Sequence, residues 1–361
     1  LRADVVVGSC LSGGVDSSSV VGVVTKHFDH QMKTFSSCFS QANCNEKPYI
    51  DAVVNHCNTE PVYVYPSEDG AIEELDKLIY HQDEPFSTLS IYAQWCVMKA
   101  ARKAGVTVLL DGQGGDETLC GYRKFSFFHL KELLSKWHFG KAIGHSVAML
   151  FSGDERLFNF RGGFARRYLP SWLRGNSLGV RSWFTPPVQK LVRQPWSERM
   201  VNVRSVHEHQ LADLQWWSLP ALLRYEDRNS MAHSIEARVP FVDHRFIEHC
   251  LTLPTEYFFC SGRKKNVLLE AMGDLVPQEV HNRKTKMGFD TPQDEWLRGR
   301  TGEILSERIN SSKRLSEIVD KSSLPPLDEL RNSSESLSSL RFFRLASLAM
   351  WLERFSVDVV H

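Results

Sequence analysis

The stretch Val5-Val6-Val7-Gly8-Ser9-Cys10-Leu11-Ser12-Gly13-Gly14-Val15-Asp16-Ser17-Ser18 decides the fold. Val5 to Leu11 is a short apolar, β-branched run and reads as a buried parallel strand. A helical pattern starts at about Ser17 and runs to Lys26. The loop Ser12–Ser18 therefore lies between a strand and a helix. That is where α/β sheets bind phosphates, because a helix N-terminus offers unpaired N–H groups and a positive dipole end. Gly13 and Gly14 let the backbone come close to a ligand, and the hydroxyls of Ser12, Ser17 and Ser18 add donors. The plainer alternative is a Gly-rich helix entry stabilised by Asp16 in its first turn. No Walker lysine follows the glycines, which excludes the usual loop for γ-phosphate transfer. An aspartate beside a polyphosphate repels it unless a cation intervenes, so Asp16 implies Mg²⁺ between carboxylate and pyrophosphate.

Working outward, strand and helix patterns alternate. Thr34–Phe39, Val62–Tyr65 and Val106–Leu110 read as strands, and 46–57, 68–80 and 91–104 as helices. This alternation predicts an α/β fold: a doubly wound parallel sheet with right-handed crossovers and a mostly helical C-terminal part. From about Phe125 to Val192 the periodicity weakens and irregular helices are expected. Ser218 reads as an N-cap with Pro220 in the first turn. Residues Ser311 to Ser339, rich in serine and holding Pro325-Pro326, read as a surface loop or linker, and 340–355 as an amphipathic helix.

Lys plus Arg and Asp plus Glu both number 43, so net charge is zero and no general attraction to nucleic acid or an anionic membrane is expected. The basic run Arg161–Arg167 reads as a solvated loop or a local patch. None of the eight cysteines forms a C-x-x-C pair, and the histidines, His207-Glu208-His209 included, do not gather into a zinc set. Buried thiols and the lack of a leader suggest the cytoplasm, and no apolar run nears the ~18 residues that span a bilayer. The start at Leu1, directly before the first strand, is read as the sign of a chain cut from something longer.

The loop Ser12–Ser18 resembles that of the N-type ATP pyrophosphatases, which cleave ATP between its α- and β-phosphates. A second motif chooses among them. Asp111-Gly112-Gln113-Gly114-Gly115-Asp116-Glu117, then Gly121-Tyr122, follows the Val106 strand at a switch-point position. It is similar to the asparagine synthetase signature G-E-G-x-D-E followed by G-Y. That resemblance implies that Gly112 contacts the nucleotide and that Asp116 is the second Mg²⁺ carboxylate, facing Asp16. Leu11, Ser37 and Asp111 join the ATP-binding set on the same ground. Gln113 is counted with the catalytic residues, although it stands where many members carry Glu and an amide cannot do that acid–base work.

Leu219–Glu248 resembles the segment lining the synthetase site of that family. From spacing alone, Arg224 and Arg228 share a helix face beside Asp227, while Glu236, Arg238 and Asp243 read as a charged network around Pro240-Phe241. In Gly262-Arg263-Lys264-Lys265, spacing leaves both lysines open, since each shares a face with apolar residues of the next helix. The resemblance favours Lys265 as the lysine that spreads charge building on the α-phosphate. Lys286, in Lys284–Phe289, is a further phosphate contact implied by the family's late basic signature.

The resemblance spans nearly the whole chain and the synthetase half of the family. It implies a nucleotide-binding core over 1–130, an irregular helical insertion over 131–217, and a helical part over 218–361 that completes the site. The N-terminal glutaminase domain is expected to be absent from this chain. The implied reaction is adenylation of the aspartate side chain with release of pyrophosphate, then transfer of ammonia to give asparagine. The partners are ATP, aspartate, ammonia and a glutaminase domain or subunit; a homodimer stays open. Sugar acids, β-lactam precursors and peptide precursors stay open as acceptors. A tRNA-modifying enzyme would need a basic face or a cysteine pair, and a non-catalytic module would predict a damaged loop.

Overall fold

In the computed structural model, residues 3–28, 31–41, 44–151, 182–191, 203, 205–260, 263–283, 291–333 and 336–357 are described. Five strands form one parallel sheet: β1 (Val7–Cys10), β2 (Lys33–Ser37), β3 (Glu60–Val64), β4 (Val108–Leu110) and β5 (Glu236–Arg238). Their order is β3-β2-β1-β4-β5. The chain winds outward from β1 through β2 to β3, then returns to β1's other side with β4. This reversal makes a crevice at the carboxyl ends of β1 and β4. The fold is the doubly wound α/β arrangement that the alternating pattern predicts.

Every residue of β1 and β4 is buried. Such strands are covered on both faces and therefore carry no polar–apolar alternation. Among the helices, α1 (Val15–Phe28) follows β1, α2 (Lys47–Cys57) follows β2, α3 (Glu68–Gln82) and α4 (Ser90–Lys103) follow β3. Cys10, Phe35, Leu109 and Ile235 pack with Val97, Met98 and Ala101 of α4 and with Val106 in one core cluster. Gly22 of α1 lies where the backbone at Leu275 crosses, and a Cβ there would run into the Leu275 carbonyl.

β5 is absent from the sequence reading. Its three residues, Glu-Ala-Arg, look like surface charge, and Glu236 does pair with Arg238 at 2.7 Å. Charged side chains are ordinary on an outer strand. The ladder is made by backbone: Glu236 N–H donates to Thr107 O at 2.8 Å and Asp111 N–H to Arg238 O at 2.9 Å. Asp243 pairs with Arg245 at 2.9 Å, so the expected network resolves into neighbouring pairs.

Beyond β4 come α5 (Gly115–Thr118), α6 (Arg123–Ser135) and α7 (Phe139–Phe151). The last two are regular helices where irregular ones were expected. The basic run Arg161–Arg167 lies outside the described residues, as does the rest of the weakly patterned segment up to residue 181. Ser218 precedes the helix Leu219–Ala232 as expected, but it is no side-chain cap. The chain arrives through a π-helical turn, Asp213–Trp217, so the Ser218 N–H already bonds Asp213 O, and its hydroxyl donates to Glu117 instead.

The described residues within Leu1–Tyr65, Cys96–Phe160 and Val203–Phe289 form one compact unit, which contains the whole sheet. Those within Pro66–Trp95, Arg161–Asn202 and Asp290–His361 form a second. In the second, the described part of Ser311–Ser339 is mostly short helices rather than one loop. Ser312 accepts the Leu315 N–H at 3.1 Å and starts the helix Lys313–Ile318, and Leu327–Asn332 follows the two prolines. Serine here acts as a cap and as a buried hydrogen-bond donor, as Ser339 does to Asp294 at 2.6 Å. The terminal helix Ser336–Arg354 buries Phe342, Phe343, Ala346, Ala349 and Leu352. Among the described residues, no helix is long and apolar enough to cross a membrane.

Candidate active site

The loop after β1 is built largely from its own serines. Ser12 N–H donates to Ser17 Oγ at 3.2 Å, the two hydroxyls lie 3.1 Å apart, and Ser17 Oγ also donates to Gly14 O at 3.3 Å. Leu11, the last residue before the loop, is tied to β2: its N–H bonds Phe35 O at 2.9 Å and its carbonyl accepts the Ser36 hydroxyl at 2.6 Å. Gly13 has φ +65°, and a Cβ there would stand 2.7 Å from Tyr49 Cβ. The residue must be glycine both for its backbone and for its neighbour. Ser18 Oγ is buried and has no hydrogen-bond partner among the described residues. Ser37 closes β2 at the same carboxyl edge.

The loop after β4 closes on the first one. A Cβ on Gly112 would lie 2.8 Å from Ser17 N and 2.9 Å from Asp16 Cβ, and one on Gly115 would lie 2.6 Å from Asp16 Oδ1. A Cβ on Gly121 would collide with Asp116 Oδ1 and Lys265 Cε. Gly114, at φ +85°, turns the chain under Val242. These glycines let two acid-bearing loops come within side-chain reach of each other.

Lys265 joins them. Its Nζ contacts Asp16 Oδ2 and lies 2.6 Å from Asp116 Oδ1. Lys265 is only 4% exposed, whereas Lys264 is half-buried. Its backbone is left-handed, φ 54° and ψ 30°, a conformation that costs a non-glycine residue on the order of 1–3 kcal/mol. Two carboxylates against one ammonium leave the cluster net negative. Asp16 Oδ1 is buried and takes no hydrogen bond among the described residues. Two hard oxygens with one unsatisfied suit Mg²⁺, which takes one or two carboxylates and fills its other positions with water and phosphate. Among the described residues, no group of three or more His, Cys, Asp or Glu could hold a metal.

Below this cluster lie buried polar groups: Asp111 and Glu117 of the second motif, and Glu226, which the sequence reading passed over. Asp111 directly follows β4, and burial pushes its carboxyl up to about 6 against the hydrogen bonds it receives from Cys10 and from the N–H groups of Gly112 and Gln113. Glu226 faces it from the helix Leu219–Ala232; burial first, then Asp111, push it well above the carboxylate range. Burial above all, then the same two acids, raise the Cys10 thiol. The signal for Glu226 was its spacing: seven residues after Leu219 and four before Ser230, it sits on the buried stripe of that helix. Asp227, Arg224 and Arg228, which drew attention through charge, are more exposed. Glu117 is also buried and accepts two hydroxyls, Tyr122 and Ser218, each at 2.6 Å. Burial and Glu117 together raise the Tyr122 phenol.

The structure thus brings together Ser12, Gly13, Gly14, Asp16, Ser17, Gly112, Asp116 and Lys265, with Asp111 beneath them. Gln113 lies in the same loop, between the two glycines that flank it. Lys286 and its neighbours 284–290 lie outside the described residues.

Comparison with known proteins agrees with this architecture. The family model described as asparagine synthase matches residues 1–353. Asparagine synthetase [glutamine-hydrolyzing] 1 of Bacillus subtilis is 29% identical over 339 residues, 87% of this chain and 50% of that protein. A putative asparagine synthetase [glutamine-hydrolyzing] of Mycobacterium tuberculosis is 26% identical over 371 residues, 97% of this chain and 55% of that one. Amidase chry2 of Gibberella zeae is 22% identical over 410 residues, 99% of this chain and 60% of that one. The chain spans about half the length of the curated relatives it matches. Since the family match runs through both acid-bearing loops and on past the lysine that joins them, the chain belongs to the asparagine synthase family.

Proposed function

We propose that this chain forms a C–N bond at the expense of ATP, through an acyl-adenylate, with aspartate as the acceptor and asparagine as the product. The observation that carries the reading is the meeting of Asp16, Asp116 and Lys265 at the carboxyl edge of β1 and β4. ATP lies along Ser12–Ser18, with its phosphates toward the N-terminus of α1. Asp16 and Asp116 would hold Mg²⁺, which would supply positive charge against the leaving pyrophosphate. An oxygen of the substrate carboxylate attacks the α-phosphorus, and the bond to the β-phosphate oxygen breaks. The Lys265 ammonium stabilises the charge that spreads over the α-phosphate in that step. Ammonia then attacks the acyl carbon, AMP departs with the C–O bond's electrons, and one proton is lost. A glutaminase domain or partner supplies the ammonia.

The left-handed backbone and burial of Lys265 support preorganisation: the ammonium needs little reorganisation to meet the developing charge. Buried thiols at Cys10, Cys38, Cys120 and Cys250 fit a reducing, cytoplasmic setting. A second reading keeps the adenylation and changes the acceptor. The relative named as an amidase favours it, as does Gln113 in the second loop.

The test is pyrophosphate release from ATP with ammonium and either aspartate or a panel of other carboxylic acids. Release with aspartate supports asparagine synthesis. Release only with another acid moves the reading to that acceptor, and no release with any acid, from protein that binds ATP, sinks it.

A further inference from the structure

The carbonyl of Gly13 is held from outside its loop. Arg283 Nη1 donates to Gly13 O at 3.0 Å, and Nη2 donates to Glu46 Oε1 at 2.5 Å. The guanidinium lies 4.4 Å from the ring centroid of Tyr49. Both charged side chains are nearly enclosed, 6% and 10% exposed. Glu46 stands just before α2, and its carbonyl accepts the N–H groups of Tyr49 and Ile50 at 3.0 and 3.1 Å. Those two residues are the ones a Cβ on Gly13 would strike. Gly13 is therefore clamped between the first turn of α2 and Arg283.

A trans peptide is planar, with its C=O and N–H on opposite sides. Fixing Gly13 O on Arg283 turns the Gly14 N–H the other way. It donates a long hydrogen bond to Ser12 Oγ at 3.4 Å, on the side of the Ser12–Ser17 hydroxyl pair. Arginine suits this post better than lysine, because its planar fork serves two acceptors at once. Glu46 is needed because an enclosed guanidinium without a counter-charge is costly. One backbone and one side-chain bond secure the segment that delivers it: Arg283 N–H to Val280 O at 3.2 Å, and the His281 imidazole Nε2 with Gly273 O at 2.8 Å.

We propose that Arg283 is a positioning residue for the phosphate loop, oriented by Glu46, which holds the Gly13–Gly14 peptide with its N–H toward the pyrophosphate moiety of ATP. It does so without touching the nucleotide. The proposal rests on the adenylation reading above.

Calorimetric titration of the full chain with ATP and Mg²⁺, with inorganic pyrophosphate and with adenosine tests it, in wild type, Arg283→Met, Arg283→Lys and Glu46→Gln. Arg283→Met weakens ATP and pyrophosphate binding roughly tenfold or more and leaves adenosine within about twofold, since only the phosphate side of the loop turns. Arg283→Lys, reaching one acceptor at a time, falls between it and wild type, and Glu46→Gln shows the same selectivity in smaller measure. Equal losses for adenosine and pyrophosphate would mark a merely structural residue and overturn the proposal. So would pyrophosphate affinity unchanged in both Arg283 variants. If Arg283→Met does not fold, Arg283→Lys decides alone by the same criterion. Wild type that binds neither ATP nor pyrophosphate removes the adenylation reading and this proposal together; wild type that binds both, matched by the variants, removes only the proposal.

Discussion

Ser12–Ser18 and Gly112–Gly121 each deliver one carboxylate to Lys265, but they are supported differently. The first is stitched mostly by hydrogen bonds among Ser12, Gly14 and Ser17, residues within five positions of one another, with Arg283 on the Gly13 carbonyl as a support from far along the chain. The second is supported from far along the chain: Val242 over Gly114, Ser218 on Glu117, Glu226 against Asp111, and Lys265 against Gly121. A locally tied loop keeps its shape through its own turn chemistry. A remotely supported one depends on tertiary packing, and damage far from it in sequence should reach it.

The largest effect is expected where the two loops meet. Lys265→Met leaves two enclosed carboxylates facing each other. It should lower adenylation by about three orders of magnitude and destabilise the fold by about 3 kcal/mol. Pyrophosphate release and the thermal midpoint measure the two effects. A variant with near wild-type turnover would break the account of how the loops cooperate.

Next comes Gly121→Ala, which forces a methyl group into Asp116 and Lys265. A fall in turnover of about two orders of magnitude is expected, because displacement on the scale of an ångström at a reacting centre costs that much. Gly140→Ala is the matched control: nothing lies within 4 Å of a Cβ there, and activity should not change.

A smaller effect separates the loops by pH. Asp111, under the second loop, has a folded-state value of about 6, above the roughly 3.9 of an unfolded chain. Its protonated form is the one that burial tolerates. The contribution to stability is therefore fully present below about pH 4 and lost as pH rises through 6. Asp111→Asn should be level with or below wild type at pH 4 and gain on it by about 1–3 kcal/mol by pH 7, read from denaturant midpoints. The smallest change is Tyr122→Phe, which removes one hydroxyl from Glu117 while Ser218 stays; a loss of about 1–2 kcal/mol is expected in the same assay.

The contrast between the loops also explains what could be read in advance. Ser12–Ser18 was legible because strand, turn and helix dipole all act within fourteen residues. The sheet was legible for the same reason, apart from β5, whose Glu236 and Arg238 advertise charge while the backbone does the pairing. Ser218 and Ser312 show one residue type doing two jobs: Ser312 caps its helix, and the Ser218 hydroxyl donates to Glu117 instead. Lys264 and Lys265 could not be separated by spacing, since the choice depends on a left-handed residue and on two acids some 150 and 250 positions away. Glu226 and Arg283 went unnoticed because both are buried by contacts made only in the folded chain. Asp227 and Lys284, their charged neighbours, gave the louder signal.

The central claim is that the enzyme cleaves ATP between the α- and β-phosphates by attack of a carboxylate. Exchange of label from pyrophosphate into ATP, in the presence of Mg²⁺ and aspartate but without ammonia, tests it most directly. The account predicts exchange that depends on a carboxylic acid and is abolished by Asp16→Ala. Exchange that needs no acid, or formation of ADP and phosphate in its place, would contradict it.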